Sequence, residues 1–171
     1  MGFNWLSSKA ETRKSHISGK GTFAKKNIKK GEIVAVFGGH VFNFTTWDKL
    51  PEDVKYEDLQ IGEDLIIGPK KKEEVGEGDY VNHSCEPNAG IRGQIFLVAM
   101  KGIKRDEEIT FDYSMVLCGS EFKMRCRCGK KSCRKVITAN DWKKQELQKR
   151  YRGYFSYFLQ QKIDKTSRAL P

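Results

Sequence analysis

The chain carries two different hydrophobic periods. Between residues 17 and 44, ISGKGTFAKKNIKKGEIVAVFGGHVF sets β-branched and aromatic residues between glycines at 19, 21, 31, 38 and 39, which predicts short strands joined by tight turns. TTWDKLPEDV offers an N-cap residue and early acids, and predicts a short helix near 46–50 or 52–58. EDLIIGP reads as a short buried strand, and EEVGEGDYVNHSCEPNAG as a loop with a helical turn at 79–83. QIFLVAMKGIKRDEEITFDYS reads as strand, charged turn, strand. From about residue 139 the period changes. Trp142, Leu147, Tyr151, Tyr154, Phe155, Phe158, Leu159 and Ile163 recur at three- and four-residue steps, the apolar stripe of an amphipathic helix. Thr138 and Asp141 have the spacing of a capping box at its start. Gly153 lies inside the stripe and costs a helix interior about 1 kcal/mol relative to alanine, so a kink or a break is expected there. The stripe is expected to pack against the body of the domain.

With 171 residues, 38% of them hydrophobic and 32% charged, the chain suits one domain with a modest core and a solvated surface. No apolar run approaches the ~20 residues that span a bilayer. MGFNWLSSKAETRK lacks the apolar segment of a secretory signal. No membrane association is expected, and the expected location is intracellular, cytoplasmic or nuclear. The sequons NFT and NHS are discounted on the same ground. The net charge of +10 permits weak nucleic-acid contact through a basic face. It is unevenly spread. Residues 48–64 hold seven acids against Lys49 and Lys55, while bases gather in the C-terminal half, from Arg125 to Arg152.

Five cysteines without a secretory signal point to metal or free thiols before disulfides. CRCGKKSC places Cys126, Cys128 and Cys133 as C-x-C-x4-C. Structural zinc takes four tetrahedral ligands, and this segment supplies three. The fourth is Cys85, Cys118 or a histidine. No second C-x-x-C is present, so the segment is not a self-contained finger. Cys85 itself lies in DYVNHSCEPN (79–88), where an amide, an imidazole and a thiol share one short run.

GKGTFA (19–24), NHSCEPN (82–88), DEEITFDY (106–113) and CRCGKKSC (126–133) stand in the order and rough spacing of the SET-domain protein lysine methyltransferases. Over about residues 14–136 the chain resembles that family. NHSCEPN is its most specific motif, and the last motif looks like the post-SET segment. No cysteine-rich pre-SET region precedes the domain, so the chain resembles a compact, stand-alone member.

The resemblance implies a mainly β fold of small curved sheets with a pseudoknot, a rare exception to the rule against threaded connections, plus the C-terminal amphipathic α-helix. It divides the chain into a SET domain (14–116, with a variable insert at 45–70), a post-SET zinc segment (117–136) and a C-terminal helical extension (137–165). It implies S-adenosyl-L-methionine as cofactor, held by Gly19, Lys20, Gly21, Asn82, His83 and Tyr113, the glycines because a Cβ would block close approach. Tyr113 matches the catalytic tyrosine, Phe37 and Phe111 the substrate channel. Cys85 joins Cys126, Cys128 and Cys133 on zinc, leaving Cys118 free.

The implied activity is methyl transfer to a lysine side-chain amine of a protein substrate, a histone tail or another basic protein. The nucleophile is the neutral amine, and neutralising lysine at pH 7 costs roughly 4–5 kcal/mol. A narrow apolar channel and an adjacent sulfonium both lower that cost. No strong base is then needed; alignment and a polar hydroxyl suffice. In this family the residue two before the catalytic tyrosine helps set multiplicity, and phenylalanine there, as at Phe111, implies a di- or trimethylated product. The chain departs from the family's usual E-Y-x-G-E at VFGGH, with Phe37 for Tyr and His40 for Glu, and has Asp79-Tyr80 where Arg-Phe is common. The acidic insert is expected to face a basic peptide. The alternative is a non-catalytic SET-like protein- or nucleic-acid-binding module, against which intact Tyr113, Asn82 and His83 argue.

Overall fold

Glycines and charged turns cut the chain into strands of two to five residues. The computed structural model describes residues 2–119 and 121–168. In chain order the strands are β1 (Trp5–Leu6), β2 (Ala10–Lys14), β3 (Lys20–Ala24), β4 (Ile33–Val36), β5 (His40–Phe42), β6 (Leu59–Gly62), β7 (Leu65–Gly68), β8 (Ala89–Arg92), β9 (Phe96–Ala99), β10 (Glu108–Ile109), β11 (Lys123–Arg125) and β12 (Val136–Thr138). The helices are α1 (Phe44–Trp47), α2 (Gln145–Arg150) and α3 (Tyr157–Arg168). The strands form four small antiparallel sheets, ordered β1-β4-β9-β8, β10-β3-β2, β5-β7-β6 and β11-β12. This is the mainly β architecture expected. No helix among the described residues is long and apolar enough to cross a membrane.

A main core joins most of these pieces, and a second, small cluster of Cys85, Cys126, Cys128 and Ile137 packs β11 and β12. Val34, Ala35, Ile91, Leu97 and Ile109 from the sheets pack with Leu147, Tyr151, Phe155 and Leu159 from the C-terminal segment. The stripe therefore packs on the body, but not as one helix. A 3-10 turn (Asp141–Lys143), α2 and α3 share it, with a break between the helices where Gly153 takes φ +82°. The break has a partner. The Ile91 N–H donates to Tyr154 O at 3.1 Å and the Tyr157 N–H to Gly93 O at 2.7 Å, so residues 154–157 cover the free edge of β8. Bonds to that edge outweigh the continuity of a helix. The Thr138 hydroxyl donates to Asp141 Oδ1 at 3.1 Å from the end of β12.

The insert also differs from expectation. Helix α1 begins earlier, at Phe44, because the Asn43 carboxamide accepts the Thr46 N–H at 2.9 Å. Residues 52–58 are turns, with Tyr56 at φ +75°. The turn expected at 79–83 lies at Glu77–Asp79, where the Asp79 carboxylate accepts the Gly76 N–H at 2.7 Å. The strand read through ITFDY pairs with β3 only over Glu108–Ile109. Beyond that, residues 110–113 run beside the NHSCEPN loop. Phe111 N–H donates to Asn82 O (3.2 Å), Ser84 N–H to Phe111 O (3.1 Å) and Ala89 N–H to Thr110 O (3.0 Å). Two motifs nearly thirty residues apart thus become one surface.

Candidate active site and metal centre

The Asn82 carboxamide nitrogen reaches Lys20 O at 2.9 Å, Ser18 O at 3.2 Å and Glu108 Oε1 at 2.8 Å, so this side chain pins the 18–20 loop. A Cβ on Gly21 would meet that nitrogen at 2.8 Å and Ser15 Cβ at 3.0 Å. Gly21 therefore serves the clamp and does not line the cleft. Gly19, at φ +44°, does line it, with open space where its Cβ would stand.

His83 is buried. Its Nδ1 accepts the Tyr113 N–H at 3.2 Å, which turns Nε2–H toward Cys85 Sγ, 3.4 Å away. Burial, with Arg134 nearby, lowers its pKa to about 4 against the opposing pull of Asp112, so the ring is neutral. His83 thus orients the backbone of Tyr113 on one side and the thiol of Cys85 on the other.

Tyr113 stands at a junction. An open cleft of about 1200 Å³ is lined by Gly19, Lys20, Asn82, His83, Tyr113 and Arg125, among others. A narrow slot of about 120 Å³ is lined by Phe37, Phe111, Tyr113, Val81, Leu59 and Ile66, with Trp47 and Tyr56 from the insert. Tyr113 and Val81 border both spaces. The Tyr113 hydroxyl donates to Val81 O at 3.1 Å, and its ring packs on Phe111 at 5.0 Å. Burial first, then the carboxylates of Glu57 and Asp58, raise the phenol above its ordinary range, so it stays protonated and acts as a hydrogen-bond donor, not a base. Phe37 and Phe111 lie 6.3 Å apart, centroid to centroid, and bring no hydroxyl to the slot.

The acidic insert supplies part of the lining, while Asp79 and the contact of Lys20 with Tyr80 escaped sequence reasoning. Lys20 Nζ sits 4.8 Å over the Tyr80 ring. Asp48 and Glu57 line the cleft, Asp58 the slot and Asp79 both. Burial raises Glu57 to about 7, with Asp79 and Asp58 adding, and raises Asp58 and Asp79 to about 6. The rest of the insert looks elsewhere: Glu63 pairs with Lys162, and Asp64 accepts the Phe44 N–H at 3.0 Å. His40 pairs with Glu74 at 3.3 Å and borders neither space.

The sulfurs of Cys85, Cys126, Cys128 and Cys133 all lie within 4.8 Å of one another. Tetrahedral zinc, ~2.3 Å from each thiolate, sets sulfurs about 3.8 Å apart, and Cys85 and Cys126 stand at 3.9 Å. Backbone N–H groups of Arg134 and Lys135 point at Cys85 Sγ (3.3 Å) and Cys133 Sγ (3.4 Å), as they do toward thiolates. Burial pushes the Cys85 thiol up to about 11 and that of Cys126 upward too, while at Cys128 burial is outweighed by hydrogen bonds that bring it down to about 7; a central dication is the charge that lets all four ionise together. The residues fit zinc. Cys118 lies apart, buried, with Gln60 on its backbone N–H at 2.8 Å.

Behind Tyr113 sits a buried polar network. Asp112 accepts two bonds from Arg134, at 2.6 and 2.8 Å, and Arg134 also donates to Asp141 at 3.0 Å. The Tyr151 hydroxyl lies between Asp112 Oδ2 (3.1 Å) and Cys85 O (3.2 Å). One cluster therefore ties the segment that follows β10, the cysteine segment and the C-terminal end of α2 together.

The SET domain family matches residues 19–114. The chain belongs to the SET-domain family. The match takes in the cleft, the slot and Tyr113. Trithorax from Drosophila virilis, named as a histone-lysine N-methyltransferase, is 31% identical over 138 residues, covering 72% of this chain and 3% of that protein. Histone-lysine N-methyltransferase 2B from Homo sapiens is 30% identical over 141 residues, covering 72% of this chain and 5% of that protein. The chain thus spans a small part of the length of these relatives. Among solved structures, the methyltransferase domain of human SETMAR superposes with a TM-score of 0.59 at 24% identity, covering 77% of this chain and 58% of that one. KRYPTONITE in complex with mCHH DNA, H3(1-15) peptide and SAH gives 0.57 at 23% identity, covering 77% and 30%. These likenesses bear on fold, and the SET fold is what they share.

Proposed function

We propose that this SET domain is a protein-lysine N-methyltransferase that uses S-adenosyl-L-methionine and acts on a basic protein, with a histone tail as the substrate class. One observation carries the reading: Tyr113 sits where a wide cleft, edged by Lys20, Asn82 and Glu57, meets a narrow slot walled chiefly by Phe37, Phe111, Val81, Leu59 and Ile66. The cleft suits a large polar cofactor, the slot an extended aliphatic amine. The cofactor supplies a methyl carbon made electrophilic by its sulfonium. The chain's own residues do the rest. Asn82 and His83 hold the cleft walls in place, through the 18–20 loop and the Tyr113 backbone. Val81, Phe37 and Phe111 give the incoming amine largely apolar walls, and Val81 O and the Tyr113 hydroxyl give it polar contacts at the junction. Apolar surroundings favour the neutral amine, and solvent in the open cleft takes its proton.

Histone as substrate class is supported by the names of the relatives and by the H3 peptide bound to KRYPTONITE. Asp48, Glu57 and Asp79 at the cleft suit a cationic tail. The four cysteines would hold zinc and, as the post-SET segment, close the cleft wall formed by residues 121–127. A nuclear or cytoplasmic location follows from that substrate. With no ring hydroxyl on Phe37 or Phe111, the slot would accept an already methylated amine and yield di- or trimethyl-lysine. The test is incubation of the zinc-loaded protein with labelled cofactor and core histones, read by mass spectrometry. Transfer to lysine reaching di- or trimethyl product supports the reading; cofactor binding without transfer to any protein rejects it.

A further inference from the structure

Two basic loops, far apart in sequence, meet at the end of β3 away from the cleft. Residues 25–30 (KKNIKK) leave that strand, and residues 101–107 (KGIKRDE) lead into β10. Ile28 and Ile103 pin them together. Each donates its N–H to the other's carbonyl at 2.9 Å, and both side chains are buried. The Arg105 N–H adds a bond to Asn27 Oδ1 at 2.9 Å. With the isoleucines turned inward, Lys25, Lys26, Lys29, Lys30, Lys101 and Lys104 are all left exposed.

The acids nearby are already engaged. Glu32 pairs with Lys9 and accepts the Lys29 N–H at 2.9 Å; Asp106 pairs with Arg13 at 3.1 Å and Arg105 at 3.6 Å; Glu107 accepts the Lys104 N–H at 2.9 Å. None of the six lysines has an ion-pair partner among the described residues. Half of the formal net charge of +10 is gathered on these two loops.

We propose that this surface docks the phosphate backbone of double-stranded DNA without reading its sequence. A surface selected for solubility alone mixes charges of both signs; this one sets seven bases against three acids, two of them ion-paired and the third held by a backbone N–H. Ammonium groups on flexible stems meet phosphates as point charges. Neither loop holds an aromatic residue, so there is no stacking platform for a single strand. Arg105 is held by Asp106 and Asn27 by a backbone N–H, so no free fork is presented to base edges. β3 rises about 3.3 Å per residue, which puts Lys20 at the cleft some ~15 Å from the loops. A protein wrapped in DNA then offers its tail to the cleft while its DNA lies on the loops. That last step rests on the methyltransferase reading; DNA binding itself does not.

The experiment is anisotropy of a short random-sequence DNA duplex with the zinc-loaded protein across a salt series. Four or five phosphate contacts give a slope of log K against log salt of about −4, or about 250-fold weaker binding between about 50 and 200 mM salt. Changing Lys25, Lys26, Lys29 and Lys30 together to Gln is expected to cost about tenfold or more and to flatten the slope by about three, with zinc content and methylation of a free peptide unchanged. A control variant with Lys131, Lys143, Lys149 and Arg152 changed to Gln is expected to bind within about twofold of wild type. Wild-type DNA affinity in the loop variant, or loss carried by the control variant, overturns the proposal. So does a polyglutamate that displaces the duplex as well as unlabelled DNA does, which would assign the surface to an acidic protein. Loss of methyl transfer in the wild type with DNA binding intact would strike the enzyme reading alone.

Discussion

Replacing Arg134 with Met should loosen the candidate active site from behind while leaving the four clustered cysteines in place. Arg134 makes two charge-assisted bonds to Asp112, which is fully buried, and one to Asp141. Breaking a buried ion pair from one side costs about 3–5 kcal/mol, chiefly because the remaining charge is stranded. Asp112 keeps donors in Ser114 N–H (3.0 Å) and the Tyr151 hydroxyl, and Asp141 keeps Lys144 (3.1 Å), so the low end, about 3 kcal/mol, is expected. For a domain of this size that is a fall in Tm of roughly 6–12 °C. The pH dependence has a definite sign. Burial opposes ionisation of Asp112, and Arg134 with His83 outweighs it, holding the carboxyl below its ordinary value. In wild type its stabilisation is therefore present above the unfolded pKa and lost as pH falls through the folded one. In Arg134→Met, burial is opposed only by His83 and the Ser114 and Tyr151 donors, so the carboxyl rises, and the deficit should be largest at neutral pH and narrow toward acid. The assay is thermal or urea unfolding at several pH values with zinc measured alongside, plus the double variant Asp112→Asn, Arg134→Met. Removing both charges should recover about 2 kcal/mol of the single loss. A single variant costing under about 1 kcal/mol, or strict additivity in the cycle, refutes the reasoning.

Tyr113→Phe is expected to lower kcat on the order of 100-fold with fold and zinc intact, since one donor at the reacting atoms is lost; near wild-type turnover would remove Tyr113 from the mechanism. Cys85→Ser should reduce zinc stoichiometry and activity together and open residues 121–133 to proteolysis, while Cys118→Ser keeps the zinc; the reverse pattern in metal analysis would unseat the assignment. Glu57, raised to about 7 mainly by burial, costs the fold stability as pH climbs from its unfolded value through about 7, so Glu57→Gln should gain on wild type over that window. Over the same window wild type should bind a cationic peptide more tightly as pH rises, and Glu57→Gln should not; equal slopes would show that Glu57 does not meet the peptide.

The short strands were readable from their glycine punctuation, while the fold class of small curved sheets came with the family resemblance. Boundaries failed where tertiary bonds overrode local preference. The stripe from Trp142 to Ile163 has helical spacing throughout, yet it breaks at Gly153 because the edge of β8 offers bonds that a continuous helix would forgo. Likewise ITFDY alternates like a strand, but beyond Ile109 its partner is the NHSCEPN loop. No periodicity encodes that pairing. Only the family resemblance set the two motifs in one place.

The site shows the same division. The four cysteines were readable as types and spacing, and His83 and Tyr113 by motif. What the sequence concealed is how indirectly some of them act. Asn82 and His83 direct their side chains into the scaffold, to the 18–20 loop, the Tyr113 backbone and the Cys85 sulfur. Gly21 is small for the sake of Asn82. The Asp112, Arg134 and Tyr151 cluster was invisible because its members come from three regions of the chain and have no spacing to read. Two of them nevertheless sit beside motif residues, Asp112 before Tyr113 and Arg134 after Cys133. A buried carboxylate beside Tyr113 needs a cation, and Arg134, next to Cys133, is brought within reach where the four cysteines cluster. The third member, Tyr151, touches both Asp112 and the carbonyl of Cys85, and Arg150 reaches the same carbonyl at 3.4 Å, so the C-terminal extension bears on the Cys85 loop and on the residues just before Tyr113.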